Sequence, residues 1–85
     1  MYILNKDLEL EKIDDNTLVF IYDSGKFFKL NSMGSQIMQL IINKKTSVEI
    51  IKILANDYDA PTSKIEKDVH KFLDEMIRNK ILLKK

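Results

Sequence analysis

Hydrophobic residues change their spacing once along this chain, and the change divides it into a sheet half and a helical half. From Asp7 to Ile13, Leu8, Leu10 and Lys12 alternate with Glu9, Glu11 and Ile13, an imperfect period of two that predicts a strand. Asp14-Asp15-Asn16 reads as a turn. Thr17 to Tyr22 is β-branched and aromatic, the strongest strand by propensity. Asp23-Ser24-Gly25 is a polar, Gly-containing connector to a further strand, Lys26 to Leu30, with Phe28 and Leu30 on one face and Phe27 and Lys29 on the other. These segments predict a three-stranded antiparallel meander.

At Asn31-Ser32 the period lengthens. Either residue can accept the free N–H bonds of a helix's first turn, and Met33, Ile37, Leu40 and Ile41 follow at helical spacing, predicting a helix over Ser32–Ile42. Thr46-Ser47-Val48-Glu49 fits a capping box, opening a helix with Ile50, Ile51, Leu54 and Tyr58 inward that stops near Asp59-Ala60-Pro61. A third helix, capped by Thr62 or by Ser63 in a second box with Glu66, runs to about Asn79. On its wheel Ile65, Val69, Phe72, Leu73 and Met76 face inward. Asp68, Glu75 and Asn79 form one flank with Lys67, Lys71 and Arg78 beyond it, and Glu66, His70 and Ile77 form the other. Ile81-Leu82-Leu83 then packs back as a short extension or strand. Strands followed by helices predict an α+β domain of winged helix-turn-helix layout, a single domain over residues 1–85.

The chain has 85 residues, 45% of them apolar, which suffices for one core. No apolar run approaches the roughly 20 residues of a membrane span. Met1-Tyr2-Ile3-Leu4 runs at once into Asn5, Lys6 and Asp7, unlike a signal peptide, and there is no Cys. A cytoplasmic location, without membrane association, is expected. With 14 basic and 13 acidic residues the net charge is +1, so no strong field draws nucleic acid.

Little here supports catalysis. His70 sits on a polar helix flank with no nearby Cys and no Ser–acid pair to work with. Asp14-Asp15 is a turn, and Asp57 and Asp59 punctuate a helix end around Tyr58. There is no spaced metal-ligand cluster, and Gly25 and Gly34 make no phosphate loop. A non-enzyme without metal or cofactor is expected. DNA binding is the alternative, with Lys64, Lys67, Lys71 and Arg78 as phosphate contacts, but Asp68, Asp74 and Glu75 are interleaved with them. Peptide binding suits the strand layout: if Lys26–Leu30 is an edge, its free backbone groups can pair with an added strand. Phe27 is then either an exposed anchor or packing beneath the arm of Tyr2, Ile3 and Leu4. A homodimer through the same edge is a third reading.

Order and spacing together resemble the PqqD-type proteins, or RiPP recognition elements, peptide-binding domains in the biosynthesis of ribosomally made, modified peptides. The resemblance lies in Phe28, Leu30 and Asn31; in Gly34, Ile37 and Leu40; in Thr46, Ile50, Leu54 and Tyr58; and in Asp68-Val69-His70-Lys71-Phe72-Leu73 closing on Ile81-Leu82. It spans about residues 7 to 83. Two connectors depart from the pattern: Asn43-Lys44-Lys45 stands where Asp-Gly is usual, and Lys80 where Gly often precedes the terminal Leu. The resemblance implies binding of a precursor's leader segment beside the Lys26–Leu30 strand, in a groove shared with the third helix, for presentation to a separate modifying enzyme. Carried over, the candidate residues are Lys26, Phe27, Phe28, Lys29 and Leu30 on the strand and Lys64, Asp68, Lys71, Phe72 and Glu75 on the helix. Lys64 and Lys71 would meet leader carboxylates, and Asp68 and Glu75 its basic residues.

Overall fold

Eight elements follow in the order β1 (Tyr2–Leu4), β2 (Leu8–Ile13), β3 (Asn16–Ile21), β4 (Lys26–Leu30), α1 (Ser32–Ile42), α2 (Ser47–Asp57), α3 (Thr62–Arg78) and β5 (Leu82–Lys84). The computed structural model describes residues 2–84; Met1 and Lys85, part of the single domain expected over residues 1–85, lie outside the described residues. Strands β2, β3 and β4 form the expected antiparallel meander, in that order. Its register stacks Leu10, Val19 and Phe28 across the inner face and Glu9, Phe20 and Phe27 across the outer. The alternation of apolar and charged residues thus becomes a one-sided sheet, with α1 packed on β3 and β4.

The core between sheet and helices is Val19, Ile21 and Leu30 against Ile37, Met38, Ile41, Ile50, Ile51, Leu54, Ile65, Val69, Leu73 and Met76, closed by Ile81 and Leu82. The arm Tyr2–Leu4 is a strand in its own right. It pairs antiparallel with β5, Leu4 opposite Leu82, and Asn5 extends the contact by donating its amide to Ile81 O at 3.0 Å and its side chain to Lys80 O at 2.8 Å.

Helix starts follow local chemistry, with one correction. Asn31, rather than Ser32, caps α1, its Oδ1 accepting the Gly34 amide at 2.9 Å. The Thr46 box forms as expected. The Ser63–Glu66 box does not: Pro61 occupies the N-cap of α3, and its carbonyl takes the amides of Lys64 and Ile65 at 3.1 and 3.2 Å. Proline's fixed φ, here −59°, starts the helix before Thr62 and Ser63, which lie within its first turn. Two inward assignments also change. Tyr58 is exposed at the end of α2, its hydroxyl donating to Gln36 Oε1 on α1. Phe72 is only partly buried and packs at the rim of the core.

In the Thr46 box, hydrogen bonds from the Thr46 backbone and then its hydroxyl hold the Glu49 carboxyl below its ordinary 4.5. A depressed carboxylate contributes stability that is present above the unfolded-state pKa and lost as pH falls through the folded one. The stability advantage of wild type over Glu49→Gln, read from urea midpoints, should therefore be present at neutral pH and shrink as the pH is lowered below the ordinary carboxylate value of 4.5.

All three helices end in the same way. Lys44, Asp59 and Lys80 adopt left-handed φ of 64°, 48° and 59°. In each case that residue and the next return their amides to the last turn, as in Lys44 to Ile41 O at 2.9 Å and Lys45 to Leu40 O at 3.0 Å. Two of these positions hold lysine in the backbone conformation that glycine adopts most readily, at a steric cost. Lys44→Gly should stabilise the domain by about 1 kcal/mol, raising Tm by about 4–8 °C in a thermal melt.

Candidate functional site

Among the described residues no strand pairs with the outer edge of β4, and the phase of the ladder decides which of its groups are unpaired. Tyr22 donates its amide to Asp7 O at 3.2 Å, so the even-numbered amides of β3 face β2 and the odd-numbered ones face β4. Thr17, Val19 and Ile21 pair with Leu30, Phe28 and Lys26. The backbone groups of Phe27 and Lys29 therefore point away from the sheet, available to a further strand.

Between this edge and α3 runs a groove made of three dents that share walls. One, of about 320 Å³, is lined by Lys26, Phe28, Arg78, Asn79 and Lys80 with the Asp23-Ser24 turn. The middle one, of about 190 Å³, lies over Phe28, Leu30, Phe72 and Met76, with Glu75 on its rim. The third, of about 340 Å³, lies between α1 and α3 over Met33, Gly34, Ile37 and Phe72, with Asp68, Lys71 and Glu75 around it. The floor is apolar and the rims are charged, the arrangement expected where side chains of a guest enter and its polar atoms stay wet.

Gly34 sets the depth of this groove. A Cβ at that position would stand 2.9 Å from Cε1 of Phe72, closer than side chains tolerate. Its absence lets the Phe72 ring lie back against α1 and leaves room above it.

The sequence-derived candidates fall into two groups. Lys26, Phe28, Leu30, Asp68, Lys71, Phe72 and Glu75 line the groove, and Lys29 contributes backbone at its edge. Phe27 does not line it. It lies on the outer face, 66% exposed, with its ring 4.8 Å from Phe20, rather than beneath the N-terminal arm. Lys64 also stands apart from these walls, where it bonds Asp68 at 3.4 Å. Sequence reasoning passed over Gly34, Met33 and Lys80 as groove residues. An isolated glycine within a helical pattern was the available signal of a close approach.

Comparison with known proteins identifies the family and the fold. The family described as Coenzyme PQQ synthesis protein D (PqqD) matches residues 16–82. The chain belongs to the PqqD family. Two solved structures share this PqqD-family fold with TM-scores of 0.91. One is TbiB1 in complex with the TbiA(beta) leader peptide, 23% identical, with 96% of this chain and 95% of that chain covered. The other is a lasso peptide synthetase B1 complexed with the leader peptide, 17% identical, with 98% of each chain covered. No curated protein sequence matches significantly. The winged α+β architecture is therefore that of the PqqD family, and nothing in it favours the DNA-binding alternative: Lys64 is tied to Asp68, and carboxylates interrupt the remaining cations of α3.

Proposed function

We propose that this PqqD-family chain binds the leader segment of a ribosomally made precursor peptide by strand addition to β4 and presents the precursor to a separate modifying enzyme. The observation that carries the reading is the coincidence of a free strand edge, unpaired at Phe27 and Lys29, with an apolar groove alongside it. Backbone pairing provides affinity, while alternate guest side chains enter the dents over Phe28, Leu30 and Phe72. Solved relatives of the same fold hold leader peptides, which supports this assignment. The domain acts without catalysis, metal or cofactor of its own, in the cytoplasm.

The test is titration of the leader of a short precursor encoded beside this chain, followed by fluorescence anisotropy without metal or nucleotide. Saturable binding supports the reading. Absence of binding by the folded protein, or DNA affinity that falls steeply with salt, contradicts it. Light scattering of the free protein separates peptide capture from a homodimer that occupies the same edge.

A further inference from the structure

Backbone pairing alone leaves the guest underdetermined. A strand added to β4 can slip by two residues, or reverse its direction, and still satisfy the same class of hydrogen bonds. Something else must fix its register, and the two ends of the groove differ in charge.

At the Lys26 end, Lys26, Arg78 and Lys80 surround one dent in which Asp23 is the only carboxylate. Lys26 shares the inner face with Phe28 and Leu30, so its side chain lies on the groove side of β4. Among the described residues none of the three cations has an ion-pair partner, the one salt bridge being Lys64–Asp68. Nor are they needed to close α3, whose last carbonyls already accept backbone amides: Asn79 bonds Glu75 O at 3.0 Å, Lys80 bonds Ile77 O at 3.0 Å and Ile81 bonds Met76 O at 2.9 Å. At the other end the balance is reversed, with Asp68 and Glu75 around a single Lys71.

We propose that Lys26, Arg78 and Lys80 form a subsite for acidic side chains of the guest, and that this charge asymmetry fixes the register and direction of the added strand. The inference rests on the leader-binding reading and specifies its substrate class: a peptide with carboxylates at the segment beside Arg78 and neutral or basic residues beside Asp68 and Glu75. Lys26 and Leu30, the two ends of the five-residue edge, lie about 14 Å apart at about 3.4 Å per residue, so different residues of the guest meet them.

The probe is a phage-displayed library of random peptides long enough to span β4 and its flanks. It is selected in parallel on the wild-type protein and on the double variant Arg78→Glu/Lys80→Glu. Wild type should enrich Asp and Glu at one end of a common apolar pattern. The double variant should keep the apolar pattern and enrich Lys or Arg at that same end. The best wild-type peptide should bind the double variant about tenfold more weakly and recover when its acidic residues are replaced by Lys. If charge reversal disturbs folding in a melt, Arg78→Gln/Lys80→Gln removes the charge without reversing it and should lose the acidic preference. These cations also complement the dipole of α3, a structural role that would alter the melt but not the charge of selected peptides. The same charge pattern on both proteins, or unchanged affinity of the double variant, overturns the subsite. Failure of folded wild type to enrich any peptide overturns the leader-binding reading itself.

Discussion

Lys29→Pro should abolish binding of the leader while leaving the domain folded. Proline removes the Lys29 N–H and fills the space in front of it. In β4 that N–H faces the free edge, because the bonds to β3 are made by Lys26, Phe28 and Leu30. An edge strand tolerates proline at such a position, so circular dichroism and melting should stay close to wild type. The comparison is Phe28→Pro, whose lost N–H belongs to the ladder and which should unfold the sheet. A leader affinity unchanged by Lys29→Pro would mean that the guest does not pair there.

Gly34→Val is expected to close the groove from the opposite wall. The new Cβ would meet the Phe72 ring at 2.9 Å, and the added methyl groups leave it no room to remain against α1. The dents above Met33 and Leu30, both lined by Phe72, offer the ring space to move into. Overpacking of this kind costs about 1–3 kcal/mol, which urea denaturation would show. Leader binding should fall more than the stability loss explains, because the displaced ring occupies the guest's space. Phe72→Ala in the same chain relieves the collision and should restore most of the stability; the paired variants form a double-mutant cycle. If Gly34→Val binds the leader as wild type does, Phe72 does not wall the site.

Much of this architecture is legible where local chemistry decides it. The change of period at Asn31, the Thr46–Glu49 box and the turn at Asp14-Asp15 are properties of a few adjacent residues, and each forms as read. Legibility fails where distant residues compete. Tyr2–Leu4 is too short to show an alternation of its own, and it becomes a strand only because Leu82–Lys84 lies beside it. Ser63 has the side chain of a cap, yet Pro61 fixes the start of α3 earlier. Phe72 falls in the buried sector of an isolated helical wheel. Its actual place at the groove depends on Gly34 of another helix. The site follows the same division: its strand was readable from alternation and its helix from the family pattern. Gly34 and the Lys26–Arg78–Lys80 end emerge only when α1, β4 and α3 are brought together.

Hydrogen exchange at single amides, with and without leader peptide, tests strand addition most directly. In the free protein the Phe27 and Lys29 amides have no partner and should exchange quickly, while those of Val19 and Phe28, inside the ladder, should be protected. Saturating leader should slow exchange at Phe27 and Lys29 together and leave Val19 and Phe28 as they were. Protection that appears on β2 or on the outer face around Phe20, with Phe27 and Lys29 still exchanging freely, would contradict strand addition to β4.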